Sequence, residues 1–339
     1  CCGNLLDTEN KYVQNYIIES LKYWMREYHI DGFRFDQAHL LSLETAKLIS
    51  HELRSVNPGV IIYGEAWDNR SREFSKIEWG SFNAHFRDVL RGDLHDYSKK
   101  GFLFSSYRPN ENKKDLKSII SGSPYNFGGV YENPSHSINF LEVHDDYCFS
   151  DFLRLSSGEN NKNDIILNKS NHILLSAELN KMNKLGAFIL FTSQGVPLIH
   201  QGQEWGHTKI IQKTDIMDSN ANKMDPNSYN KDNKTNWVNW DELKQNEDLV
   251  IFYEELIKIR KENASLRKKK YEIVEFFEFE NRYCLGYKID EKMIALINGD
   301  NKNRIDIPLP KGVWDVLVST NDNMNNKFKE FEDQITLSP

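Results

Sequence analysis

Three apolar runs in this chain each end on a carboxylate, and stretches with helical periodicity separate them. H-I-D-G-F-R-F-D closes on Asp36, V-I-I-Y-G-E-A-W carries Glu65, and I-N-F-L-E-V-H-D-D supplies His144 and Asp145. Strands that alternate with helices pair in parallel, because a parallel neighbour is reached only through a long crossover. Side chains alternate along a strand, so Arg34 and Asp36 share one face while Phe33 and Phe35 take the other. A strand that aims an arginine and an aspartate into one space is built for more than packing.

The rest of the first two-thirds keeps this rhythm. Lys11 to Tyr28 places Val13, Ile17, Leu21 and Trp24 on one helical face. Strands are expected at Ile30–Phe35, Val60–Tyr63, Ile138–Val143 and Gly195–His200, with a strand-to-helix piece at Asn83–Arg91. Helices are expected at Leu43–Val56, Ser170–Phe191 and Asp248–Arg260. Gly101–Glu132 and Lys209–Trp240 are rich in polar and turn-forming residues and read as long loops after strands, where a barrel keeps its binding loops. From about Lys268 the pattern becomes short strands: Ile273–Phe279, Tyr283–Ile289, Met293–Asn298, Ile305–Leu309 and Val313–Leu317. The expected division is therefore an α/β unit over residues 1–267 and an all-β domain over 268–339.

Composition narrows the partners. Charged residues make up 27% with a net charge of -7 and both signs interspersed, which argues against nucleic acid or an anionic membrane surface. No apolar run reaches the roughly 20 residues of a membrane span. The four cysteines, Cys1, Cys2, Cys148 and Cys284, contain no C-x-x-C and read as free thiols. No cluster of His, Asp or Cys has metal-ligand spacing along the chain, so no metal site is expected. The compartment stays open, with the cytoplasm as the expectation.

Paired carboxyl groups flanking one bond are the equipment of glycoside cleavage through an oxocarbenium-like transition state. Asp36 suits the nucleophile, because Arg34 beside it favours the ionised form. Glu65 lies between Gly64 and the apolar Ala66-Trp67, where desolvation would help it hold a proton as general acid. Asp145 could hold sugar hydroxyls and offset positive charge, and His144 could hydrogen-bond a hydroxyl. Each residue alone has a plainer reading: a strand-end aspartate often caps the next helix, and a lone histidine is usually structural. Three such acids at three strand ends favour the catalytic set.

These motifs resemble the α-amylase superfamily, glycoside hydrolase family 13, and within it the pullulanase-like and glycogen-debranching members. G-F-R-F-D resembles the family's nucleophile motif, which implies Asp36 as nucleophile with Arg34 as its partner. Y-G-E-A-W resembles the acid/base motif, implying Glu65, and F-L-E-V-H-D-D the last motif, implying His144 for substrate and Asp145 for the transition state. C-G-N (Cys2–Asn4), G-V-P-L-I-H-Q-G-Q-E-W-G (Gly195–Gly206) and N-S-Y-N (Asn227–Asn230) are similar to the pullulanase group. Sugar subsites are expected from Trp67, Asn227 and Tyr229.

What the resemblance implies is a retaining hydrolase of α-glucans, acting at α-1,6 branch points. It implies a (β/α)8 TIM barrel followed by an antiparallel β-sandwich. It requires no cofactor; it allows structural calcium, for which no site is assignable here. The earlier family motif ending in Asn-His has no counterpart, so Ile30–Asp36 corresponds to the fourth barrel strand. Strands four to eight are present and the first three are expected from a longer chain or a partner, without which the chain is expected to fold poorly or be inactive. Asp146, where asparagine is common, alters local charge. The alternatives are an α-1,4-acting amylase or neopullulanase, a transglycosylase, and a non-catalytic carbohydrate-binding relative, the last disfavoured because all three acids are present.

Overall fold

A computed structural model describes residues 5–67, 70–105, 112–213, 219–268, 270–281, 283–320, 330–331 and 334–337. Cys2–Asn4 lies outside the described residues. Five strands, β1 (Gly32–Phe35), β2 (Ile61–Gly64), β3 (Gly80–Asn83), β4 (Ser137–Phe140) and β5 (Val196–Leu198), form one sheet in chain order. Every pairing is parallel, with Arg34 opposite Tyr63, Tyr63 opposite Gly80, Phe82 opposite Ile138 and Asn139 opposite Pro197. Parallel strands in sequential order with helical crossovers make a half-barrel of the TIM type.

The crossovers are α1 (Lys11–Glu27) before β1, then α2 (Leu43–Val56), α3 (Ser71–Lys76), α4 (Ala84–Arg91) and α5 (Asn112–Ile120). After β4 come α6 (Phe149–Ser157), α7 (Lys169–Ile173) and α8 (Ala177–Thr192), and after β5 comes α9 (Glu247–Glu262). Asn10 caps α1 by accepting from the Tyr12 N–H at 2.9 Å, and Ser42 Oγ caps α2 by accepting from Thr45 at 3.2 Å. Between them these two helices bury Ile18, Met25, Ala46, Ile49 and Leu53 against Ile62, Phe74 and Trp79. Phe33 and Phe35 join this outer cluster, as strand alternation requires.

Gly64 brings the segment after β1 close to β2. A Cβ there would lie 2.6 Å from Ala38 Cβ and 2.9 Å from the Phe35 carbonyl. Its absence lets Glu65 N–H donate to Phe35 O and His39 N–H donate to Glu65 O, both at 3.1 Å.

A larger core joins α4, α5, α6, α8 and α9 through Phe86, Ile119, Phe149, Leu190 and Leu256. At about 1.5–3 kcal/mol per large apolar side chain fully buried, this is the chain's main source of stability. It continues into the C-terminal strands through Leu285, Tyr287 and Ile297. Those strands form small antiparallel sheets: β6 (Val274–Phe277), β7 (Cys284–Ile289) and β8 (Met293–Asn298) in order, β9 (Ile305–Pro308) with β12 (Gln334–Leu337), and β10 (Trp314–Asp315) with β11 (Glu330–Phe331).

Two expectations change. Gly101–Glu132 is not one long loop: α5 forms within it because Leu116, Ile119 and Ile120 recur at helical spacing and are buried. The helix expected over Ser170–Phe191 is broken at Leu174, which is extended, and Ser176 starts α8 by accepting from Leu179 N–H at 3.2 Å. Among the described residues no helix is long and apolar enough to cross a membrane.

Candidate active site

β1 ends with Arg34 reaching across the sheet. Its guanidinium lies 5.7 Å from the centre of the Phe82 ring on β3. Nη1 donates to Asp36 Oδ1 at 2.7 Å and Nη2 donates to Glu65 Oε1 at 2.5 Å. One planar fork thus holds the carboxylates that follow β1 and β2. The two acids differ in surroundings: the Asp36 side chain is 71% exposed and that of Glu65 7%.

Gln37 completes the grip on Glu65. It sits at φ +45°, in the left-handed region, and its backbone N–H donates to Glu65 Oε2 at 3.0 Å. Glu65 is therefore buried, as its apolar neighbours suggested, but its carboxylate faces a guanidinium and a backbone N–H rather than an apolar wall. Tyr63, on the same strand face, has its phenol pushed up by burial, with Arg34 working against the shift.

His144 and Asp145 lie in the segment after β4, with His144 Nε2 3.4 Å from Asp145 Oδ2. Asp146 adopts φ +60°, and Arg87 Nη1 lies 3.8 Å from its carboxylate. Arg91 of α4, fully buried, clasps this segment at both ends: Nη1 donates to the Leu141 carbonyl and Nη2 to the Tyr147 carbonyl at 3.3 Å. Burial brings its guanidinium down to about 10. Trp67, just past Glu65, and Val143, just before His144, both pack on Phe82, Ile138 and Phe140 with Tyr63 and Leu198.

The expected subsite residues divide. Tyr229 lines a cavity of about 220 Å³ together with His144, His200, His207, Lys209 and Trp237. Asn227 does not line it; it is exposed and its N–H donates to Asp225 at 3.0 Å. Trp67 packs in the apolar cluster under the Glu65 segment.

Three residues, of which His200 and His207 line this cavity, were not singled out from the sequence. Glu142 Oε1 accepts from both His200 Nδ1 at 2.7 Å and His207 Nε2 at 2.5 Å. Its other oxygen accepts from the Phe149 N–H at 2.7 Å. Burial would raise the Glu142 carboxyl, but His207 and His200 outweigh it and hold the group far below the usual carboxylate range. Spacing along the chain could not reveal this set, because the fold draws it from β4, β5 and the turn beyond. The only local signal is that Glu142 belongs to the same acid-bearing motif as His144.

The catalytic-domain description of the alpha-amylase family matches residues 166–247. The chain is 26% identical over 278 residues to a pullulanase of Bacillus subtilis strain 168, covering 78% of this chain and 34% of that protein. It is 28% identical over 302 residues to the chloroplastic isoamylase 3 of Oryza sativa subsp. japonica, covering 80% of this chain and 35% of that one. The crystal structure of a pullulanase from Anoxybacillus sp. LM18-11 complexed with maltotetraose superposes with a TM-score of 0.80 at 25% identity. That likeness covers 99% of this chain and 46% of the other. The chain spans about a third of the length of the curated relatives it matches. On these matches the chain is similar to alpha-amylase family proteins, pullulanases and isoamylases among them.

Proposed function

We propose that the chain carries the acid-bearing half of a retaining glycoside hydrolase that cleaves α-1,6 branch linkages in α-glucans. The observation that carries this reading is Arg34 bonding Asp36 and Glu65 at once, at the C-terminal ends of adjacent parallel strands. Active sites of such barrels sit at that end. In this reading Asp36 attacks the anomeric carbon as Glu65 gives its proton to the departing oxygen. A covalent glycosyl-enzyme forms, and Glu65 then takes a proton from the water that hydrolyses it. Asp145 and His144 hold sugar hydroxyls, with Asp145 offsetting the developing positive charge. The relatives' names, and the maltotetraose in the Anoxybacillus complex, support the substrate class.

The reading includes a closed eight-strand barrel. Residues 1–267 supply strands four to eight, a C-terminal β-sandwich follows over 268–339, and strands one to three come from elsewhere in a longer chain or from a partner. Two features support this. β1 and β5 are the edges of the described sheet, and its concave face is incompletely covered, with Ile61 60% and Val196 42% exposed. Incubating pullulan with the chain, alone and mixed with the N-terminal half-barrel of a pullulanase, tests it. Maltotriose as product means α-1,6 cleavage. Panose would instead mean α-1,4 cleavage, and no product from either mixture would overturn the hydrolase reading.

A further inference from the structure

We propose that Glu142, His200 and His207, none of them an acid of the proposed glycosidic chemistry, form a binding site for one divalent transition-metal ion of the zinc type, opening on the cavity that His144 and Tyr229 also line. The potential ligand atoms, Glu142 Oε1, His200 Nδ1 and His207 Nε2, all lie within 4.8 Å of one another. Two imidazole nitrogens and one carboxylate oxygen are a borderline-soft donor set, and three-residue zinc sites use this set with a fourth position left open.

The site is held in place before any ion arrives. Glu142 is fully buried and its second oxygen is pinned by the Phe149 N–H, so the carboxylate cannot swing away. The His207 ring lies against Gly202, where a Cβ would sit 2.4 Å from Nδ1, so a bulkier residue there would displace the imidazole. His207 N–H also donates to Gly202 O at 3.0 Å, which fixes the turn. Both histidines line the 220 Å³ cavity, which gives the ion a route in and room for a water as fourth ligand.

The geometry needs little adjustment. Tetrahedral ligands at about 2.0–2.2 Å from zinc stand roughly 3.3 Å apart, against 2.7 and 2.5 Å for the two hydrogen bonds present. The imidazoles would part from Oε1 by less than about 1 Å. Each ring would turn its lone pair to the ion and carry its proton on the other nitrogen. The dication then takes over the neutralisation of a buried carboxylate that the two N–H groups now share.

Titrating the metal-free chain with Co²⁺, a coloured stand-in for Zn²⁺, tests this without any assay of activity. The expected result is one Co²⁺ per chain with the intense visible absorption of four-coordinate cobalt, abolished by added Zn²⁺. His207→Gln and Glu142→Gln should each weaken binding by about 100-fold or more. Circular dichroism confirms folding, and His200→Gln, at the cavity wall, carries the test if Glu142→Gln unfolds. Absence of the absorption, or an absorption unchanged in the folded variants, would overturn the site and leave a hydrogen-bonded clasp.

Discussion

Arg34 donates to Glu65 across the β1–β2 pair at 2.5 Å while its other terminal nitrogen holds Asp36. Substituting Arg34 by Met leaves a carboxylate that is only 7% exposed without its cation. Stranding a buried partner in this way costs about 3–5 kcal/mol, and the Gln37 N–H that remains on Glu65 puts the expected loss near the lower end. A urea unfolding midpoint that does not move would show that the pair contributes nothing.

Asp36→Asn separates chemistry from folding. The side chain is 71% exposed, so stability should change by no more than about 0.5 kcal/mol. Turnover of α-glucan by the completed barrel should fall by on the order of 10³-fold or more, with maltotetraose still bound. Hydrolysis that survives in this variant rules out Asp36 as the nucleophile.

Arg91→Met keeps most of the buried stem but frees the Leu141 and Tyr147 carbonyls. Each unsatisfied buried acceptor costs about 1–3 kcal/mol. Hydrogen exchange should quicken across residues 141–147 more than in β1 and β2. Equal quickening everywhere would mean that Arg91 supports the fold in general and not this segment.

Asp151 gives a pH dependence with a defined sign. It is buried, accepting from Thr208 Oγ1 at 2.6 Å and from the Lys209 N–H at 3.0 Å, with Arg154 Nη1 3.4 Å away. Burial opposes ionisation, but His172, Arg154 and these donors hold the carboxyl below its ordinary 3.8. A folded-state value below the unfolded one stabilises the protein above that pH, and the contribution is lost as pH falls below 3.8 toward the folded value. Asp151→Asn should therefore flatten the acid side of the stability profile, by up to about 1.4 kcal/mol per pH unit. Unfolding midpoints at pH 5 and pH 3 measure it; an unaltered difference between them would falsify the assignment.

Four strands of the sheet were legible because they are short apolar runs bounded by turns, and the placement of Arg34 with Asp36 followed from alternation alone; β3, Gly-Ser-Phe-Asn, was read only from its last residue, at the head of the Asn83–Arg91 piece. Joining Arg34 to Glu65 needed the β1–β2 register, in which Arg34 stands opposite Tyr63. α5 was hidden by the polar residues around it, since only three of its buried positions, Leu116, Ile119 and Ile120, are apolar. Gln37 gave no signal, because a left-handed backbone in a non-glycine residue is imposed by the packing around it. Glu142, His200 and His207 were illegible as a set for a topological reason: β4 and β5 are neighbours in the sheet but α6, α7 and α8 separate them in sequence.

Trp67 and Val143 rest on one apolar cluster, with Phe82 between the strands that carry them. The segments bearing Glu65 and Asp145 consequently share an anchor, and a thermal displacement of that anchor carries both acids in the same direction. The separation between them is then steadier than the position of either one. Substitutions at Trp67 and at Val143 should accordingly be non-additive in a double-mutant cycle, each partly spending the order that the other supplies.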